Sequence, residues 1–309
     1  MYIFRLIRWP NLLIVLLTQY LLYQFVLRAQ LKKVDLLPTL DGLDFISLTL
    51  ATIFTAAAGY IINDIYDQVI DALNKPERVI VGKLLSEKAA YRWYVGFMVA
   101  GSLCISWLMY RTGDWFWLPG YILANVMMYW YSRSWKKKIL IGNFVVALFC
   151  AMVAIVVIVG ESCFYPELVK KDPFYYVNIV GTFTAYTTFA FLSTMYREIV
   201  KDMEDVYGDE VENCRTLPIV FGIQKAKTIA AFFAISLLLT TIFGAYLLYT
   251  TDRYLQLGYV LVGIVIPIKV SLLFLGKAKS IQEFHQLSSL TKLIMLSGIL
   301  YLVFEIWVS

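Results

Sequence analysis

The sequence predicts an all-α polytopic membrane protein, with nine transmembrane helices around a central cavity and cytosolic cap loops. Three observations carry this. Of 309 residues, 60% are hydrophobic, and the mean hydropathy is +0.70, far outside the soluble range. Nine stretches approach the ~20 apolar residues that a bilayer span needs. Lys and Arg fall unevenly between alternate connections, as the positive-inside rule requires.

The nine stretches are roughly 10–27, 45–63, 93–110, 115–131, 139–159, 176–195, 229–250, 255–275 and 291–308. The first follows Arg5 and Arg8 and has no small-residue cleavage site, so a retained span is expected. With the N-terminus inside, nineteen Lys and Arg lie in cytosolic segments and seven outside. The predicted N-terminus is therefore cytosolic and the C-terminus external. The net charge of +5 is largely this bias and suits an anionic leaflet, so no nucleic acid is called for. Membrane lipids are the surroundings, and no obligate protein partner is inferred. No appended soluble domain is evident, and residues 1–309 read as one transmembrane domain. The two long cytosolic loops, about 64–92 and 196–228, are expected to be functional.

Each long loop opens with the same acidic pattern. Asp64, Asp67 and Asp71 form D-x-x-D-x-x-x-D, and Asp202, Asp205 and Asp209 repeat it 138 positions later. On a helix, spacings of three and seven place the three carboxylates on one face. Like charges stacked so repel one another, and a divalent cation relieves the repulsion. A donor set of carboxylates without His or Cys points to Mg²⁺ rather than Zn²⁺. Both loops continue with an Arg and then a Gly: Arg78 and Gly82, Arg215 and Gly222. Four spans separate the copies, which makes the repeat parallel. Asn74-Lys75-Pro76 is expected to end the first motif's helix. Glu198 falls one turn before Asp202 on the same face, whereas Glu204 is expected to face solvent.

Basic residues beside the acids are the natural complement of a diphosphate. Arg78 and Lys201 are bound to the motifs by position, with Lys75 nearby. A third polar patch runs from Tyr131 through Lys136 to Gly142-Asn143. Asn143 and Asn11 each need a partner a few residues into a span. Polar groups of four spans thus meet near one cytosolic level, as a cytosol-facing cavity requires. The single His285 excludes a multi-histidine metal site, and it reads as an unremarkable loop residue. The four cysteines lack metal or redox spacing. Some of the 20 Phe, 22 Tyr and 8 Trp are expected to line an apolar tunnel.

The run Asn63-Asp64-x-x-Asp67-x-x-x-Asp71-x-x-Asn74-Lys75-Pro76-x-Arg78 resembles the first signature of the UbiA superfamily of intramembrane prenyltransferases. Arg197-Glu198-x-x-Lys201-Asp202-x-Glu204-Asp205-x-x-Gly208-Asp209, followed by Thr216-Leu217-Pro218, resembles the second. The second motif and the Lys136–Asn143 stretch are most similar to the geranylgeranylglyceryl-phosphate geranylgeranyltransferase branch. Val79 departs from the pattern, standing where many relatives have proline, but removes no ligand. The resemblance implies Mg²⁺-dependent transfer of a prenyl group from a polyprenyl diphosphate to a lipophilic acceptor. The expected roles follow from the residues together with it. The six motif aspartates hold metal and are catalytic. Asn63, Lys75, Arg78, Lys136 and Lys201 bind the diphosphate. Asn11, Tyr131, Asn143 and Glu198 face the acceptor or the cavity. A glycerophosphate ether lipid is the expected acceptor, with a quinone precursor or a tetrapyrrole as alternatives. A terpene cyclase would release product without any acceptor. From another class, an ion-coupled transporter would place its acids near the midplane, often on broken helices.

Overall fold

The computed structural model describes residues 2–74, 76–77, 79–161 and 165–307. In chain order the helices are α1 (Tyr2–Leu6), α2 (Trp9–Leu21), α3 (Ala29–Lys33), α4 (Gly42–Tyr66), α5 (Gln68–Asn74), α6 (Glu87–Thr112), α7 (Trp117–Arg133), α8 (Ile141–Gly160), α9 (Tyr165–Lys171), α10 (Pro173–Glu204), α11 (Val206–Val211), α12 (Leu217–Thr250), α13 (Tyr254–Val260), α14 (Ile266–Lys277) and α15 (Ile281–Tyr301). Wider π-helical turns at Leu22–Arg28 and Leu261–Val265 join α2 to α3 and α13 to α14. One isolated bridge, Val81 to Leu85, is the extent of β pairing among the described residues.

Among the described residues, seven helical segments are long and apolar enough to cross a membrane: Trp9–Lys33, Gly42–Tyr66, Glu87–Thr112, Ile141–Gly160, Leu217–Thr250, Tyr254–Lys277 and Ile281–Phe304. Two further expected spans correspond to α7 and α10. The first is short, at 17 residues. The second is long, at 32 residues, and carries Tyr, Thr and charged side chains.

Caps explain where the helices begin. Asp41 accepts from the backbone N–H groups of Leu43 and Asp44 at 2.8 and 3.0 Å and starts α4. Asp172 does the same for α10 through Phe174, at 2.9 Å, with Pro173 at the first position. Ser280 and Glu283 form a reciprocal capping box at α15. This last span therefore starts near 281 rather than 291. It absorbs His285, which lies on a helix and not in a loop. Similarly, α12 begins at Leu217-Pro218 and absorbs a stretch expected to be loop. Gly222 (φ 81°, ψ 159°) kinks it there.

Two helices are central. α4 packs on α2, α6 and α7, and α10 packs on α8, α12 and α15. Ala226, Ala230 and Ala234, one per turn of α12, are fully buried. On α10, Tyr196, Ile199, Val200 and Met203 fill the same buried cluster. Small residues let two helices approach closely, and contact area then supplies the attraction that water cannot supply in lipid. Each central helix ends in one acidic motif, so the sequence repeat is also a repeat of architecture.

Candidate active site

Both motifs break their helix at the middle acid. α4 stops at Tyr66 and Asp67 takes φ −99°, ψ 7° before α5. α10 stops at Glu204 and Asp205 takes φ −94°, ψ 8° before α11. The i→i+4 backbone bonds continue through each break: Asp67 N to Asn63 O at 2.9 Å, Asp71 N to Asp67 O at 2.8 Å, Asp205 N to Lys201 O at 2.9 Å, and Asp209 N to Asp205 O at 3.2 Å. Each break therefore turns the chain while keeping the helical register across it. α5 and α11 then pack against each other, which brings the two motifs together. Asp67 and Asp209 lie within electrostatic reach, as do Asp71 and Lys201.

Basic and amide side chains occupy the space between the acids. The Arg8 guanidinium donates to Asp64 Oδ1 at 2.8 Å. Lys136 Nζ donates to Asn63 Oδ1 at 3.1 Å and also to Asp67. Asn63 Nδ2 donates to Asp67 Oδ2 at 2.7 Å, and Asn143 Nδ2 donates to Asp202 Oδ2 at 2.8 Å. Lys201 faces Glu198, Asp205, Asp71 and Asp209. Arg197 bonds Glu198. Tyr131 lies near Glu198, Asp67 and Asp202, and Asn11 donates to the Tyr60 hydroxyl at 3.2 Å. Lys75 and Arg78 lie outside the described residues.

The Lys136 loop is fixed from below. A Cβ on Gly142 would stand 2.7 Å from Lys136 Cα and 3.2 Å from its carbonyl oxygen. Both obstacles are backbone and cannot swing aside, so only glycine lets Lys136 lie over the start of α8. The next residue, Asn143, then reaches Asp202.

The electrostatics favour a cation. Burial and the carboxylates of Asp67 and Asp64 push the Asp71 carboxyl up to about 6. Burial and Asp205 push Asp209 up to about 6. Burial draws the Lys136 ammonium below its ordinary value, against the pull of Asp67. These acids repel one another more than the neighbouring cations compensate, a state that a divalent ion relieves. An oxygen-only donor set fits Mg²⁺. Among the described residues no three acids stand together as a preformed ligand set, because Arg8, Lys136 and Asn143 hold three of them singly.

One sequence expectation changes here. Glu204 is 9% exposed and does not face solvent. It pairs with His285 Nδ1 at 2.9 Å, joining α15 to the last residue of α10. Two residues missed by sequence reasoning, Arg8 and Tyr60, also border the site, together with Arg197 of the second motif. Arg8 takes a left-handed backbone (φ 50°, ψ 53°) and stacks its guanidinium 4.9 Å over the Tyr60 ring. It had the appearance of a topology charge, and its signal was its place just before Trp9-Pro10-Asn11. Tyr60 lies one turn before Asp64 and Arg197 one turn before Lys201, so helical periodicity was the available signal for both.

A family model described as the UbiA prenyltransferase family matches residues 35–290. The chain is 33% identical over 197 residues to the digeranylgeranylglyceryl phosphate synthase of Methanothermobacter thermautotrophicus, which covers 63% of this chain and 62% of that protein. It is 29% identical over 246 residues to the synthase of Saccharolobus solfataricus, covering 79% and 78%. The chain thus spans about three fifths of the length of the first of these relatives. Among solved structures, a digeranylgeranylglyceryl phosphate synthase matches with a TM-score of 0.67 over 97% of both chains at 21% identity. A UbiA homologue from Archaeoglobus fulgidus bound to DMAPP and Mg²⁺ matches with a TM-score of 0.55 over 98% of this chain and 99% of that one, at 13% identity. These likenesses show the fold.

Proposed function

The chain belongs to the UbiA prenyltransferase family, and on that premise we propose that it transfers a geranylgeranyl group from its diphosphate to geranylgeranylglyceryl phosphate, with Mg²⁺ as cofactor. The relatives named for that synthesis support the choice of acceptor. The homologue holding DMAPP and Mg²⁺ supports the donor class and the metal. The observation that carries the reading is the pair of acidic helix ends, broken alike and turned toward each other with Lys136 and Lys201 between them.

The reaction breaks the allylic C–O bond, with the electron pair leaving on the diphosphate. A new C–O bond forms to the acceptor hydroxyl, whose proton passes to the released diphosphate. Asp64, Asp67 and Asp71 on one side and Asp202, Asp205 and Asp209 on the other would hold Mg²⁺, which when bound would supply positive charge against the departing diphosphate. Lys136 and Lys201, with Lys75 and Arg78 from the first loop, add fixed positive charge where negative charge develops. That charge acts more strongly on the transition state than on the bound donor. Asn63 and Asn143 hold Asp67 and Asp202 in orientation. Asn11, Tyr131 and Glu198 border the side from which the acceptor enters.

In this reading α7 and α10 complete a set of nine spans in one transmembrane unit. The N-terminus is cytosolic, the C-terminus external, and the site opens to the cytosol beneath cap loops. The test is a transfer assay in membranes or detergent with geranylgeranyl diphosphate and a panel of acceptors. Ether-lipid product on geranylgeranylglyceryl phosphate, abolished by EDTA and in Asp64→Ala, is the expected result. Product on a quinone precursor or chlorophyllide alone would replace the acceptor. Diphosphate release with no acceptor product would indicate a cyclase.

A further inference from the structure

The proposed acceptor brings a phosphate of its own, distinct from the donor's diphosphate, and this second anion needs a cationic partner. Among the described residues, the two lysines at the carboxylate level are already engaged, since Lys136 is bound to Asp67 and Lys201 faces four carboxylates. One turn deeper the balance differs. Tyr60 precedes Asp64 by a turn on α4, and Arg197 precedes Lys201 by a turn on α10. The Tyr60 hydroxyl side lies within electrostatic reach of both Arg8 and Arg197, and the same two guanidiniums face Lys201. Arg8 at the start of α2 and Arg197 and Lys201 on α10 therefore lie within electrostatic reach of one another. The carboxylates beside them are Glu198, bonded to Arg197, and Asp64, bonded to Arg8.

Two features show unused capacity there. The Arg197 Nε is buried and has no hydrogen-bond partner, which leaves a donor that costs stability unless something accepts from it. Moreover, any cation taken by Asp64 leaves the Arg8 guanidinium with less compensating charge. Tyr60 accepts from Asn11 at 3.2 Å and carries the Arg8 guanidinium 4.9 Å over its ring. A guanidinium with a free N–H is suited to phosphate oxygens in a way that a lysine is not.

Resting on the prenyl-transfer reading, we propose that Arg197, backed by Arg8 across Tyr60, binds the phosphate of the acceptor one turn beneath the donor diphosphate. This makes Arg197 a specificity residue that selects phosphorylated acceptors. It also orders the two anions by depth, with the donor diphosphate at the carboxylate level and the acceptor phosphate below it.

The test compares two acceptors on the full-length protein: geranylgeranylglyceryl phosphate and the same molecule without phosphate. Wild type is expected to prefer the phosphorylated acceptor. Arg197→Gln should shrink that preference in kcat/KM roughly tenfold or more, as loss of a charge-assisted contact implies, through the acceptor KM. The KM for geranylgeranyl diphosphate should stay within about threefold, since the donor rests on other cations. Arg197→Lys should recover part of the preference and covers the case in which the glutamine variant does not fold. Equal losses on both acceptors, or a raised donor KM, would overturn the proposal and leave Arg197 as a structural partner of Glu198 or a donor ligand. Wild-type transfer without preference for the phosphate would also overturn it, while leaving prenyl transfer intact. Transfer to neither acceptor would defeat the underlying reading.

Discussion

Lys136 shows how much of the site depends on single residues. Its ammonium bridges Asn63 and Asp67, and its main chain lies over Gly142. Lys136→Met should lower kcat by roughly 10²–10³, the usual cost of losing one preorganised electrostatic contact, with protein yield in membranes unchanged. Gly142→Ala should give a similar loss without touching any charge, because the added methyl displaces the Lys136 backbone; equal kcat for Gly142→Ala and wild type would contradict this. The aspartates also fix a pH dependence. Asp71 and Asp209 are raised to about 6 by burial and like charge, so they are largely ionised at pH 7.5 and take up protons as pH falls through about 6. Protons then compete with the cation. A Mg²⁺ titration of turnover should show a markedly higher half-saturating concentration at pH 5.5 than at 7.5. At this scale the six acids were legible because spacing alone singles them out. Arg8 was not, because a basic residue at a cytosolic helix end is already explained by topology, and Arg197 was legible only as a member of the second motif. Only the fold shows that they converge on Tyr60.

Helices and their junctions carry a second set of consequences. The buried alanines of α12 let it lie close on α10, so Ala230→Leu should overpack that seam and cost about 1–3 kcal/mol. A lowered thermal midpoint in detergent is the readout. At the other end of α8, Glu161 is 1% exposed and accepts from the backbone N–H groups of Thr39 and Leu40 at 2.7 and 3.1 Å. Burial pushes its carboxyl up to about 7. A folded-state value above the unfolded one means that ionisation costs stability. Stability should therefore fall as pH rises from about 4.5 to about 7, and Glu161→Gln should flatten that part of the pH–midpoint curve. An unchanged slope would remove Glu161 as its source. The apolar spans were legible as periods of hydropathy, and Pro76 marked the end of α5. The start of α15 was obscured because Gln282, Glu283 and His285 lower the local hydropathy, although Ser280 and Glu283 spell out a capping box. The breaks at Asp67 and Asp205 left no trace in composition, since neither is a Gly or Pro position. Their cause is tertiary: α5 and α11 must turn to meet.

Across the whole molecule, two central helices present matching acidic ends to one shared space, and α15 secures the second of them through His285 and Glu204. The repeat of the motif predicted this pairing, while the packing of α4 and α10 among different neighbours had to come from the structure. The central claim is that both motifs, each loaded with a divalent cation, form one diphosphate site. Equilibrium binding of a non-reactive geranylgeranyl thiodiphosphate, measured with and without Mg²⁺ on wild type, Asp64→Asn and Asp202→Asn, tests it most directly. The account predicts tight binding only for wild type with Mg²⁺, and a loss of at least tenfold (about 1.4 kcal/mol) in each single variant. Binding of equal strength in EDTA, or in either variant, would contradict it.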